Sequence, residues 1–321
     1  MGFNVYRFFP GIIILFYQQL LRVNCNEFLY KNIGFLDFMK KIAFFYTKGG
    51  TGKTTICFNY GYYLADNKNK RVLMLDFDPQ VNLVYSFGGD YKNDEGNNLE
   101  SMLLNFIKGR SILLEDYTIK IGKNLTILPT SNNISVIDEY LTDLLVKKSF
   151  EKGVMLKSME RNLLLKDMLD KVIKPWEFDY VLIDCQPSFS LLSNTALIYA
   201  ENILTVLKPE PYSLVDIDYI KRIINNLNRK YGTNVSISGV IINAFESRKK
   251  LAWDISKKIE ANFGKETRVF REKIKFLAQY QSSIFLGKQP VFKMYPGSAA
   301  AKSLLNLFDE IDSIVLDLIN Y

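Results

Sequence analysis

The chain has 321 residues, of which 48% are hydrophobic and 23% charged, so it can bury a full core and is too apolar to be wholly disordered. It contains no histidine and only three cysteines, which excludes histidine-based catalysis and a disulfide framework and favours a reducing, cytosolic compartment. The 41 Lys and Arg residues outnumber the 34 Asp and Glu residues. The stretch 221–275, with 14 basic and five acidic residues, accounts for more than this excess. It is either a solvated helix surface or a polyanion-binding surface, with DNA as the first candidate.

Residues 1–38 differ from the rest of the chain. Their apolar stretch, 8–17, contains Pro10 and Gly11 and is shorter than the about 20 residues of a membrane span. It also lacks the cleavage site of a signal peptide. Met39 leads directly into a strand pattern. We therefore expect Met39 to be the natural start and 1–38 to be an N-terminal extension from an upstream start, with a membrane-associating extension or a peripheral packing segment as the alternatives.

Beyond Met39, β-branched and aromatic stretches alternate with helical patterns. Strands are predicted over 42–46, 71–77, 125–128, 180–183, 203–207, 237–243 and 267–270. Several are continuous apolar stretches, which is typical of strands buried on both faces. The alternation predicts a mostly parallel, doubly wound α/β sheet with helices on both faces, in a single domain over 39–321. A loop is predicted over 88–98 and a mainly helical insert over 100–175.

A glycine-rich motif follows the first predicted strand and precedes a helical pattern. Residues 48–55 read KGGTGKTT. Glycines let successive backbone N–H groups face one anion, and the helix N-terminus adds partial positive charge. The motif predicts a phosphate-binding loop in which Lys53 contacts the β- and γ-phosphates and the Thr54 hydroxyl ligates Mg²⁺. The predicted nucleotide-binding residues in this motif are Lys48, Gly49, Gly50, Thr51, Gly52, Lys53, Thr54 and Thr55.

The motif departs from the general P-loop pattern, because Thr47 stands in place of the first glycine and Lys48 follows it. This arrangement resembles the deviant Walker A motif of the ParA/MinD ATPases, and the missing glycine resembles the ParA branch. The resemblance implies a P-loop NTPase fold, with ATP and Mg²⁺ as ligands. It also implies a homodimer that forms on ATP binding, in which Lys48 reaches the phosphates bound by the partner subunit.

Two later segments resemble the same family in order and spacing. Residues 73–80, LMLDFDPQ, resemble its D-x-D-P-Q motif, which implies that Asp76 orients the attacking water, although Val81 stands where glycine is usual. Residues 178–185, FDYVLIDC, resemble the Walker B strand, which implies that Asp184 holds Mg²⁺ together with Thr54. A carboxylate at a buried strand end would be costly without a cation. The candidate catalytic residues are Lys48, Lys53 and Asp76.

Weaker matches extend the resemblance over about residues 39–312. They imply that the base is held near Asn243 and the 290–296 loop. Cys185 is interpreted as a core residue, because the chain has no histidine that could activate a thiol.

The fold supports several activities, so three functions stay open. The first is a DNA-segregation ATPase resembling ParA and Soj, cytoplasmic and nucleoid-associated, for a plasmid or a chromosome. ATP would close a dimer that binds DNA without sequence preference, and a ParB-type partner would stimulate hydrolysis and release. The predicted DNA-binding residues are Lys221, Arg222, Arg229, Lys230, Arg248, Lys249 and Lys250.

The alternatives are a MinD-like membrane-cycling ATPase and a P-loop kinase or synthetase. The MinD class ends in a basic amphipathic helix. Here the C-terminal apolar positions are Leu304, Phe308, Ile311, Val315 and Leu318, and the opposite face is acidic. Because an anionic bilayer would repel that face, we expect the helix to pack on the core, without stable membrane association. A kinase or synthetase needs an acceptor pocket, which no sequence pattern marks.

Overall fold

In the part of the chain that the structure describes, seven strands form one sheet. The computed structural model describes residues 39–88, 98–131, 136–152, 160–263 and 267–317. The extension expected over 1–38 and most of the loop predicted over 88–98 lie outside these residues. The strands are β1 (Lys40–Phe44), β2 (Val72–Phe77), β3 (Ile119–Lys120), β4 (Leu125–Leu128), β5 (Tyr180–Cys185), β6 (Asn202–Leu207) and β7 (Ser236–Ile242). Their order across the sheet is β3-β4-β2-β5-β1-β6-β7.

The sheet is parallel except at its β3 edge, where β3 and β4 are antiparallel. β1 lies between β5 and β6 at the centre. Every residue of β2 and β5 is buried, as expected for strands covered on both faces. The predicted α/β class, with a mostly parallel sheet, is confirmed.

Helices pack on both faces of the sheet. The helices are α1 (Lys53–Tyr62, continued by a π-helix over Tyr63–Asn67), α2 (Asn82–Ser86), α3 (Leu99–Ile107), α4 (Val136–Lys152), α5 (Glu160–Val172), α6 (Leu191–Ala200), α7 (Ser213–Tyr231), α8 (Lys250–Phe263), α9 (Ala278–Ser282, continued by a π-helix over Ser283–Gly287), α10 (Val291–Met294) and α11 (Ala299–Asp317). Alternate strand residues enter different apolar clusters, so that Leu73 and Leu75 join one and Val72 and Met74 the other.

The strand predicted over 267–270 is wrong. Val269 forms only an isolated bridge with Val240 of β7. Just beyond it, the backbone N–H groups of Arg271 and Glu272 donate to the Glu310 carboxylate of α11 and not to a strand. β3 was not predicted, because two residues are too short for a periodic pattern.

The C-terminal helix α11 packs its apolar face on the core, as predicted. Leu304, Phe308 and Ile311 are fully buried in the cluster that also contains residues of α1. Val315 and Leu318 lie outside the residues whose side chains are described. Within the described part of the chain, no helix has the length and apolar character needed to cross a membrane.

Candidate functional site

The glycine-rich loop joins β1 to α1 at the carboxyl end of the central strand. Gly52 caps α1 with a left-handed φ of 96°. A Cβ at Gly52 would lie 2.1 Å from Nδ2 of Asn243, which follows β7. The same Nδ2 donates a hydrogen bond to the carbonyl oxygen of Thr51 at 2.6 Å. Glycine is therefore required at position 52 both by conformation and by space, and Asn243 fixes the last turn of the loop.

A cavity of about 890 Å³ opens in front of this loop, within the size range of small-molecule sites. Of the predicted nucleotide-binding residues, those that line it are Gly49, Gly50, Thr51, Gly52, Lys53, Thr54, Thr55 and Asn243. Lys53 donates from Nζ to the carbonyl oxygen of Lys48 at 3.2 Å. Burial lowers the pKa of Lys53, while the nearby Asp184 carboxylate acts in the opposite direction. The structure thus brings the start of a helix and a buried lysine to one end of the cavity.

Asp184, the predicted metal ligand, lies fully buried near the end of β5. The hydroxyl of Thr54 donates to its Oδ2 at 2.6 Å, whereas no described residue hydrogen-bonds its buried Oδ1. Burial raises the pKa of Asp184 to about 7 and outweighs the hydrogen bond from Thr54 and the charge of Lys53, which favour the ionised form. A carboxylate and a hydroxyl are hard oxygen donors of the kind Mg²⁺ prefers, and a cation would stabilise the buried carboxylate oxygen that has no hydrogen-bond partner. These residues therefore fit Mg²⁺.

Asp76 does not lie where its predicted role requires. Its side chain is fully buried, Oδ1 accepts from the backbone N–H of Asp78 at 3.1 Å, and Oδ2 accepts from that of Val84 at 3.1 Å. Burial and the adjacent Asp184 raise its pKa. Both oxygens are engaged by the chain itself, and Asp76 is not among the residues that line the cavity. The placement does not support Asp76 as the residue that holds a water.

Asp78, two residues later, lines the cavity, although the sequence did not predict it as a site residue. It is the first polar residue beyond the carboxyl end of β2, and ligands in open α/β sheets bind beyond the carboxyl ends of the strands. Applied to the sequence, that rule would have indicated Asp78 as a cavity residue. The family motif contains two aspartates and did not by itself distinguish them.

Lys48 points away from the cavity of its own chain. Its Nζ lies 2.7 Å from Oδ2 of Asp216 on α7 and 5.7 Å from the centre of the Tyr212 ring. The hydroxyl of the buried Tyr46 donates to the same Asp216 oxygen at 2.9 Å. The side chain of Lys48 is 34% exposed. Lys48 is therefore held at the surface, next to the phosphate-binding loop but outside its lining.

The far wall of the cavity differs from the expected base site. Asn243 lines the cavity as expected, but no residue of the 290–296 loop does. The wall is formed instead by 274–277 and by residues of α9 and its π-helical continuation. The segment 290–296 is not a loop but mostly helix α10, and it lies behind this wall, where the N–H of Val291 donates to Oδ1 of Asn59 on α1 at 2.8 Å.

The predicted DNA-binding residues lie on two elements that follow neighbouring strands. Lys221, Arg222, Arg229 and Lys230 are on α7, after β6, and all but the half-buried Lys221 are exposed. After β7, Arg248 and Lys249 are exposed immediately before α8, and Lys250 is exposed at its first position. Some of these cations have intramolecular partners, since Lys249 lies 2.8 Å from Glu246 and Lys221 lies 4.6 Å from the centre of the Phe263 ring.

Comparisons with known proteins agree with this architecture. The family model described as an AAA domain matches residues 39–237. The virulence plasmid ParA family protein pGP5-D of Chlamydia psittaci is 30% identical over 275 residues, which cover 86% of this chain and 95% of that protein. The chromosome-partitioning ATPase Soj of Treponema pallidum is 29% identical over 225 residues, covering 70% and 79%.

The fold is also that of a solved structure. The McdA–ATP complex from Cyanothece superposes with a TM-score of 0.70 at 19% identity, covering 87% of this chain and 96% of that one. This likeness concerns the fold alone. With the matched family model, the similarity to ParA and Soj proteins and the phosphate-binding loop in its structural context, the chain belongs to the ParA family of P-loop ATPases with a deviant Walker A motif.

Proposed function

We propose that this chain is an ATP-dependent DNA-partition ATPase that acts on a plasmid or a chromosome, with residues 39–321 as its single working domain. The observation that carries the proposal is the placement of two lysines in one phosphate-binding loop. Lys53 is buried at the cavity, and Lys48 is held outside it at the surface. A nucleotide bound by a second subunit could meet Lys48 there. The partition functions named for the ParA and Soj relatives support the same proposal.

Each residue at the cavity has a role that its position supports. Backbone N–H groups over 49–54 and the start of α1 bind the ATP phosphates, with Lys53 as their cation. Thr54 and Asp184 would hold Mg²⁺, which when bound neutralises charge on the β- and γ-phosphates. Asp78 orients the attacking water, and Asp76 anchors the segment that carries Asp78 through the backbone N–H groups of Asp78 and Val84.

In this proposal, ATP binding closes a homodimer that binds DNA through the basic residues of α7 and the start of α8. Lysines and arginines bind DNA phosphates without reading the base sequence. The dimer presents two copies of this surface, so ATP raises the affinity for DNA by bivalency. A ParB-type partner stimulates hydrolysis, which returns the dimer to monomers and releases it from the nucleoid in the cytoplasm.

The two alternatives have less support from the described residues. A MinD-like membrane cycle needs an exposed apolar helix face, whereas Leu304, Phe308 and Ile311 of α11 are buried. A kinase or synthetase needs a polar acceptor site beside the phosphates. The far wall of the cavity contains Ile274, Leu277 and Ile284 beside Lys275, Gln281 and Lys288, and its apolar side chains provide a surface for a nucleotide base.

A DNA-binding assay with ATP, with ADP and without nucleotide tests the proposal. We expect the full chain to bind unrelated DNA duplexes with similar affinity in ATP and much more weakly in the other two conditions. Binding to anionic lipid vesicles in ATP, without binding to DNA, would favour the membrane-cycling alternative.

A further inference from the structure

The segment between β2 and α2 carries an unusual backbone conformation. Val81 has φ 54° and ψ 30°, in the left-handed region. This region is unfavourable for a β-branched residue, because Cβ and both γ-carbons crowd the backbone. Such conformations persist only where the surroundings over-determine them. The interactions that hold this segment therefore also decide where Asp78, three residues earlier, lies in the cavity.

Interactions on the inner side of the segment come from Asp76 and from Val81 itself. The Asp76 carboxylate accepts from the N–H of Asp78 and the N–H of Val84, which span the strained residue. The N–H of Val81 donates to the carbonyl oxygen of Asp78 at 2.8 Å. The Val81 side chain is buried in an apolar cluster. These contacts hold the first half of the segment.

On the outer side, a lysine from the opposite wall of the cavity holds the end of α2. Nζ of Lys288, 203 residues further along the chain, donates to the carbonyl oxygen of Tyr85 at 3.0 Å. The stem of Lys288 crosses Gly88 so closely that a Cβ there would lie 2.9 Å from Cγ of the lysine. A lysine often stabilises the last carbonyl groups of a helix in this way. Lys288 and Tyr85 both line the cavity, as does Asp78.

We propose that Lys288 is a positioning residue for ATP hydrolysis. It ties the wall formed by α9 and its π-helical continuation to α2 and thereby sets the position of Asp78. This proposal rests on the proposed function. Lys288 acts through the backbone of α2 and not on the nucleotide. Its loss should therefore disturb the geometry of the reaction more than the binding of ATP.

Steady-state ATP hydrolysis and ADP binding by the full chain test this role. We expect Lys288→Met to lower kcat by about tenfold, with KM for ATP and Kd for ADP within about threefold of wild type. Lys288→Arg, which keeps a cationic donor, should restore kcat to within about threefold of wild type. The matched control is Lys293→Met, which removes an exposed lysine 2.7 Å from Asp66 and should leave kcat unchanged. Similar melting temperatures would show that kcat does not reflect loss of folded protein.

Several results would overturn the proposal. These are an unchanged kcat in Lys288→Met, a loss of kcat that Lys288→Arg does not restore, and a loss of kcat that Lys293→Met reproduces. A fall in ADP affinity as large as the fall in kcat would make Lys288 a nucleotide ligand and would also overturn it. Absence of ATP hydrolysis in the wild-type chain would refute the proposed function itself, which separates that failure from a failure of the Lys288 proposal alone.

Discussion

At the scale of single residues, the two lysines of the phosphate-binding loop have different surroundings, so their substitution should affect different properties of the protein. We expect Lys53→Ala to abolish ATP binding, because it removes the buried cation at the cavity. Lys48→Ala should keep ATP binding and lose ATP-dependent dimerisation and hydrolysis, because Lys48 lies outside the cavity lining. Equilibrium dialysis and light scattering with ATP measure the two properties. Equal loss of ATP binding in both variants would contradict a dimer that shares its nucleotides.

Substitutions of Asp76 and Asp78, at the end of β2, should also have different effects. Asp78→Asn should lower ATP hydrolysis by about 10²-fold or more while ATP still binds, because a water-orienting carboxylate is lost. Asp76→Asn replaces one acceptor oxygen by a donor, so one of the backbone N–H groups loses its partner. We expect a fall of about 1–3 kcal/mol in the free energy of unfolding, measured in urea. Normal hydrolysis by Asp78→Asn would remove Asp78 from the mechanism.

The sequence predicted which residues lie at the cavity where their placement depends on local geometry. Gly52 and Thr54 were identified because a strand, a glycine-rich turn and a helix are consecutive in the chain. The choice between Asp76 and Asp78 was not predictable from the motif. It depends on how the folded loop uses the two carboxylates. Both oxygens of Asp76 accept backbone N–H groups, whereas Asp78 accepts the N–H of Gln80 at Oδ1 and lines the cavity.

At the scale of elements, α7 holds Lys48 through Asp216. The 2.7 Å ion pair must open before Lys48 can reach a second subunit's nucleotide. We therefore expect Asp216→Asn to lower the protein concentration needed for ATP-dependent dimerisation by up to about fivefold, since a partly exposed ion pair contributes about 1 kcal/mol at most. Sedimentation velocity with ATP measures this. The control is Asp218→Asn, an exposed aspartate on the same helix. Weaker dimerisation by Asp216→Asn would show that Asp216 orients Lys48 productively instead.

The ends of the apolar strands were predicted to within one or two residues, because their pattern is local. The predictions that were wrong depend on long-range contacts. The predicted strand at 267–270 fails because Glu310, 39 residues beyond Arg271, takes the N–H groups that would extend the pairing. The expected base site at 290–296 lies behind the cavity wall because Val291 is bonded to Asn59, 232 residues away. In both contacts the two partners are so far apart in the sequence that no local pattern could have predicted them.

At the scale of the whole molecule, the central claim is that ATP controls nonspecific DNA binding through the basic residues of α7 and the start of α8. Only three or four of the seven predicted residues need to contact phosphates, since Lys249, Lys221, Arg229 and Lys230 already have intramolecular neighbours. Each neutralised phosphate contributes about −0.9 to the slope of log affinity against log salt. A steep slope in ATP is therefore expected, and it should flatten as contacts are removed.

The most direct test is DNA affinity in ATP and in ADP across a range of salt concentrations. It compares wild type with two variants, Arg248→Ala/Lys249→Ala/Lys250→Ala and Lys221→Ala/Arg222→Ala/Arg229→Ala/Lys230→Ala. We predict tight, steeply salt-dependent binding by wild type only in ATP. At least one variant should bind more weakly, with a flatter slope and unchanged ATP-driven dimerisation. Wild-type binding that is equal in ATP and ADP, or normal DNA binding by both variants, would contradict the account.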